Sequence, residues 1–206
     1  MGLEKHNSRL EAFCDGVFAI AITLLVLDLK VIPIGAVHSV ADVWNSLGRM
    51  WPSFFALSFS FVIILISWFA HHNFLKLIDK STPQFIFANG FYLFTVIIIP
   101  FPTAMVAEYI NTPYAQPAVI VYSISSMLTN LGWMGLHWFA LRPKPVIKDT
   151  VLPAVSRKSF RDSTIGFFLY GALAILAWWL PYVSFILNII TWGYWLYLSL
   201  TFKEAS

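Results

Sequence analysis

Charge is scarce in this chain. Lys, Arg, Asp and Glu make up 11% of its 206 residues, where a soluble domain carries about 25%. Hydrophobic residues reach 59% and mean hydropathy is +0.74. A soluble fold of this size cannot hide that much apolar surface behind so few charges. The balance excludes a disordered chain, a nucleic-acid reader and a conventional soluble enzyme, and it indicates a polytopic membrane protein. Cysteine is nearly absent as well. With Cys14 alone, an intrachain disulfide framework and a cysteine-based zinc site are both excluded. The first apolar run contains Asp15 and follows Glu4 and Glu11, the wrong flanks for a cleavable signal, so the N-terminus is expected to be retained.

What the chain does have is long charge-free runs. A spanning helix needs about 20 mostly apolar residues. Such intervals occur at 50–75, 81–107 and 109–141, with a shorter one at 16–27 that the preceding residues extend. The interval 163–202 has no charge over 40 residues; as one helix it would be about 60 Å long, twice the bilayer core. It is therefore divided into two spans that turn at Pro181. The expected fold class is an all-α membrane protein with six transmembrane helices per chain, at roughly 10–30, 48–75, 83–109, 115–141, 160–180 and 182–202, forming a single domain over 1–206. Pro100 and Pro102 fall inside the third span and should kink it, or leave carbonyls free for a neighbour.

An even number of spans puts both termini on one side. With that side cytoplasmic, Lys5, Arg9, Lys76, Lys80, Arg142, Lys144, Lys148, Arg157, Lys158, Arg161 and Lys203 lie inside, and Lys30 and Arg49 outside. Eleven against two is a clear positive-inside bias. Trp44, Trp51, Tyr109, Tyr114, Trp178, Trp179 and Tyr182 fall near the outer turns, as interfacial anchors do.

The first span carries most of the information. An ionisable residue inside a span is costly and marks a candidate site; Asp15 is such a residue. At 100° per residue, Phe13, Val17, Ile20, Leu24, Leu27 and Val31 form one large apolar seam. Ala12, Gly16, Ala19 and Thr23 form a neighbouring seam of small residues, suited to close helix contact. Asp15 lies about 140° from Ile20 and points toward another helix. The apolar seam has two readings on periodicity alone: ordinary helix packing or lipid contact, and a dry constriction lining a pore.

The pattern Arg9-x-x-x-Phe13-Cys14-Asp15, followed by Gly-Val-Phe-Ala-Ile-Ala-Ile-Thr-Leu-Leu-Val-Leu at 16–27, resembles the first helix of the transmembrane protein 175 family of potassium channels. Cys14 departs from the family's usual Ser, and a thiol is a weaker hydrogen-bond partner. The resemblance implies a homotetramer in a prokaryotic cell membrane, with helix one of each subunit lining a central pore. It implies a main constriction at Ile20, further apolar rings at Leu24 and Leu27, and Thr23 as a pore-facing candidate. The permeating ion would be K+, with the lipid bilayer as the surrounding partner and no cofactor.

No Thr-Val-Gly-Tyr-Gly filter is present, so carbonyl-cage selectivity is not expected. An apolar ring sets only a radius and a wetting barrier, and selectivity would follow the cost of partial dehydration. Asp28 is a candidate acidic ring at the outer mouth, or a solvated helix end. Arg9 and Asp15, six residues apart, do not share a face. Each is expected to meet another helix, with Trp68, His71, His72 and Asn73 as candidate partners. That network either scaffolds helix one or gates it. Adjacent His71 and His72 diverge by about 100° and cannot chelate one ion, and His137 is isolated, so no metal site is expected. Phe160-Arg161-Asp162 echoes the motif, but its Arg spacing and the run after it do not match. With no internal repeat, one chain supplies one pore helix, and a central pore requires an oligomer. The main alternative is a proton- or ion-coupled secondary transporter using Asp15. No catalytic His/Ser/Asp set suggests an enzyme.

Overall fold

The structure is a computed structural model and describes residues 2–30, 33, 35, 37–141, 147 and 153–200. It is helical in this order: α1 (Gly2–Leu24), a 3-10 turn (Leu25–Asp28), α2 (Val40–Arg49), α3 (Trp51–Leu75), α4 (Pro83–Ile97), α5 (Pro100–Tyr109), α6 (Ala115–Ala140), α7 (Pro153–Leu176) and α8 (Pro181–Leu200). Five stretches are long and apolar enough to cross a membrane: Ser8–Leu27, Trp51–Leu75, Pro83–Tyr109, Ala115–Ala140 and Pro181–Leu200.

The expected fifth span, 160–180, corresponds to α7, which begins earlier. Arg157, Lys158, Arg161 and Asp162 occupy its first turns, so its apolar part is shorter than in the other five. The sixth expected span reaches 202, beyond the described residues. The basic residues Arg142, Lys144, Lys148 and Lys203 also lie outside them, as does the Lys5 side chain.

The first helix also starts earlier than expected, at Gly2, and two further differences from the sequence reading have local reasons. The second span was expected from residue 48, but Gly48 and Arg49 belong to the separate helix α2. Ser39 caps α2, its hydroxyl accepting from the Asp42 N–H at 3.2 Å. The His38 N–H donates back to the Asp42 carboxylate at 3.0 Å and helps hold that carboxyl below its ordinary value. Val40, Val43, Trp44 and Leu47 are all exposed, on one apolar face at steps of three, one and three. The third span, expected to kink at its prolines, is one stretch from Pro83 to Tyr109 whose helix is interrupted there. Pro100 has no N–H to continue the ladder, so α4 ends at Ile97 and α5 starts at Pro100.

The core lies where α1, α3, α4 and α6 meet, around residues such as Phe18, Ile64, Phe85, Tyr92, Val119 and Leu136. α4 crosses α6 closely because Gly132 lacks a side chain; a Cβ there would stand 3.0 Å from the Tyr92 Cα. α7 packs mainly along α6. Gly166 faces Asn130 at that contact, and an added Cβ would collide with the Asn130 side chain. Ile147, between α6 and α7, forms an antiparallel backbone bridge with Ile78, just after α3.

Candidate functional site

Helix α1 is held by one face and open on the other. Cys14, Phe18, Ala21 and Leu25 are at most 9% exposed, while Ile20, Leu24 and Leu27 are 59%, 53% and 69% exposed. The inner four recur at steps of four, three and four, which keeps them on one stripe against α3 and α4. Phe13 is exposed on the same side as Ile20, seven residues or about two turns away. The small seam of Ala12, Ala19 and Thr23 is also exposed, and a Cβ on Gly16 would meet nothing within 4 Å. Within one chain, therefore, close helix contact uses the Cys14–Leu25 stripe rather than the small seam. The Thr23 hydroxyl donates to the Ile20 carbonyl at 3.0 Å.

The motif residues reach α3 and α4 through two separate arms. In the first, the Trp68 indole N–H donates to the Asp15 carboxylate at 2.8 Å. His72 lies one turn beyond Trp68 and stacks on it, with centroids 5.4 Å apart; its Nδ1 is 4.0 Å from the same carboxylate oxygen. In the second, the Asn89 amide donates to the Cys14 sulfur at 3.1 Å, while its oxygen meets His71 Nε2 at 2.6 Å. An amide oxygen cannot donate, so Nε2 is the protonated nitrogen of His71 in this arrangement. His71 stacks on Tyr92 at 5.3 Å and contacts Phe18 at 5.5 Å. One amide thus bridges α1 and α3 from its seat on α4.

The two histidines diverge as adjacent helical positions must: His72 faces Asp15 and His71 faces Asn89. Asn73 does not join them; it lines a cavity bounded by α6, α7 and α8. Arg9 is exposed and is not brought to Asp15. The Asp28 side chain lies outside the described residues. Sequence reasoning missed Asn89 and Tyr92. A signal for Asn89 existed, an amide in the middle of the apolar run of α4, but the partners expected for Asp15 all lay at the end of the second span. Among the described residues no group of three or more His, Cys, Asp and Glu is arranged to hold a metal.

A family model described as "Endosomal/lysosomal potassium channel TMEM175" matches residues 9–100, the segment that holds α1 from Arg9 onward and the residues of both arms. The chain is 36% identical over 177 residues to a protein named "Potassium channel B446_29190" from Streptomyces collinus, covering 84% of each. The chain belongs to the TMEM175 family. It is also 45% identical over 120 residues to "Potassium channel Cha6605_3372" from Chamaesiphon minutus, a match spanning 58% of this chain and 59% of that one. A solved structure described as a lysosomal potassium-selective channel TMEM175 homolog from Chamaesiphon minutus superposes with a TM-score of 0.79 at 31% identity, covering 95% of this chain and 98% of that one. The fold described above is thus the TMEM175 fold, a multi-pass helical membrane architecture.

Proposed function

We propose that this chain is the subunit of a potassium-conducting channel, four copies of which surround a central pore lined by α1. The observation that carries this reading is the division of α1 into a fastened stripe and an open one, in a chain whose relatives are named potassium channels. In this reading the whole of 1–206 is one six-span unit, with α7 as the fifth span and its charged first turns at headgroup level. Both termini are cytoplasmic, in the cell membrane of a prokaryote, as the charge bias favours.

Four α1 helices pack around the axis through the small seam. Ala12, Gly16 and Ala19 let neighbouring backbones approach, and the adjacent apolar seam then turns inward. Ile20 forms the main constriction, with Leu24 and Leu27 one and two turns on. These side chains cannot ligate an ion. They set a radius and a dewetting barrier, so passage costs part of the hydration shell. K+ is larger and less tightly hydrated than Na+ and gives up that water at lower cost. The Thr23 hydroxyl hydrogen is committed to the Ile20 carbonyl, which leaves the Thr23 oxygen free to face a passing cation. Asp28 concentrates cations at the outer mouth.

Asp15 acts as the fastening point of the pore helix. Its carboxylate accepts the Trp68 indole and lies beside His72, which favours a positioning role over that of a carrier releasing and rebinding a proton. The test is ion flux from liposomes holding the purified protein, beside an Ile20→Asn variant, in K+ and Na+ gradients. The expected result is gradient-driven flux that prefers K+, with the preference weakened in the variant. Equal preference in the two proteins would remove Ile20 from the filter. Saturable, proton-coupled flux from an assembled protein would replace the channel with a transporter.

A further inference from the structure

Away from α1, helices α3, α6, α7 and α8 bound a cavity of about 350 Å³, within the range of small-molecule sites. Its wall on α3 runs from Ile66 to Phe74, eight residues or about 12 Å along the helix axis, and Leu77 extends it past the helix end. The cavity is therefore a slot parallel to the helices rather than a round pocket. Its sides are aromatic and aliphatic, with Trp133, Trp192, Trp195 and Phe74 prominent. Ser67, Asn73, Thr129, Asn130, His137 and Ser199 add scattered neutral polar groups along the walls, but the charged lining is confined to one turn of α7, where Lys158 and Asp162 stand with Ser159 and Ser163 at spacings that keep them on one face.

The charge at that end is lopsided. Asp162 is matched by Arg161 at 3.5 Å. Lys158 and Arg157, both exposed, leave this turn of α7 net positive. The stretch just after α3 also carries Lys76 and Lys80, the latter 3.8 Å from Asp79. A long apolar slot with a cationic mouth, at a helix end rich in basic residues, has the two-part chemistry of an acidic amphiphile. Basic pockets between helices on the cytoplasmic side are suited to acidic headgroups.

We propose that this slot holds an acyl chain of an anionic phospholipid whose phosphate sits at Lys158. Free phosphate would use the lysine but gains nothing from three indoles and a phenyl ring. A neutral lipid would use the slot but not the lysine. The proposal rests on the chain being membrane-embedded and is independent of which ion it conducts. None of the residues lining the slot comes from α1.

The test is the thermal unfolding midpoint of the full-length protein in neutral detergent. The additives are phosphatidylglycerol, phosphatidylcholine with the same chains, and glycerol 3-phosphate. Phosphatidylglycerol is expected to raise the midpoint by several degrees, well beyond the other two. Lys158→Gln, at an exposed position, keeps the lipid-free midpoint and loses most of that rise. Ala70→Phe, which fills the slot from α3, abolishes the rise; if it does not fold, Lys158→Glu, which leaves the walls intact, must abolish it instead. An equal rise with phosphatidylcholine would overturn the proposal in favour of an apolar cleft without headgroup recognition. An equal rise with glycerol 3-phosphate would reduce it to an anion site. No rise with phosphatidylglycerol, or a full rise in Lys158→Gln, would also overturn it. Because the readout is stability and not flux, each of these failures leaves the channel reading standing.

Discussion

The Trp68 indole N–H donates to the Asp15 carboxylate at 2.8 Å, joining residues 53 positions apart. It is the only contact from Asp15 to α3 short enough to be a hydrogen bond among the described residues, since His72 stands off at 4.0 Å. The bond has an ionic acceptor, which strengthens it, and a carboxylate that is 45% exposed, which weakens it. Trp68→Phe should therefore destabilise the fold by about 1 kcal/mol, and loosen α1 by more than its packing loss alone. A double-mutant cycle with Asp15→Asn, read by thermal unfolding, checks this. Additive losses in the cycle would mean that the bond does not fasten the helix.

The Asn89 bridge should be the more costly arm to cut, because every group in it is buried. Asn89→Leu leaves the His71 Nε2 donor without its acceptor, at a cost of about 1–3 kcal/mol. Cys14→Ser keeps an acceptor for the Asn89 amide and should fold normally, whereas Cys14→Val should not match it. Cys14 is 0% exposed, so a maleimide should label it only after unfolding. Rapid labelling of the native protein would contradict the position of α1 described above.

The two faces of α1 should respond differently to truncation. Phe18 is 1% exposed, and Phe18→Ala should cost about 3–5 kcal/mol of stability. Ile20→Ala, on the open face, should leave the fold of the single chain nearly untouched and alter ion passage. Measuring unfolding and liposome flux on both variants separates the outcomes. A large stability loss at Ile20 with unchanged flux would turn this face from a pore wall into a packing surface.

Glycines in the spans should divide by what lies over them. Gly166→Ala would drive a methyl into the Asn130 side chain where α6 meets α7, and overpacking of this kind costs about 1–3 kcal/mol. Gly90→Ala meets nothing within 4 Å and should be neutral, or stabilise by up to about 1 kcal/mol through helix propensity. Thermal unfolding of the two variants side by side tests the α6–α7 contact. Equal midpoints would contradict the packing of Asn130 over Gly166.

The membrane class, the positions of the apolar runs and the turn before Pro181 were legible in the sequence, because each depends on local hydropathy and on the missing N–H of proline. The smooth seam on α1 and the outward turn of Asp15 from it were legible for the same reason: the angle between two residues on one helix needs no other helix. The family resemblance was legible too, since its motif lies within about 20 consecutive residues. Other features depended on tertiary structure. That α1 is fastened through Cys14, Phe18, Ala21 and Leu25 could not be read from a helix with apolar residues on more than one face. Nor could the choice of Asn89 as the bridge or the diversion of Asn73 into the slot beside α6. Each was decided by which side chains from distant segments competed for the same buried space and the same few hydrogen-bond donors. Spacing along one chain segment carries no record of that competition.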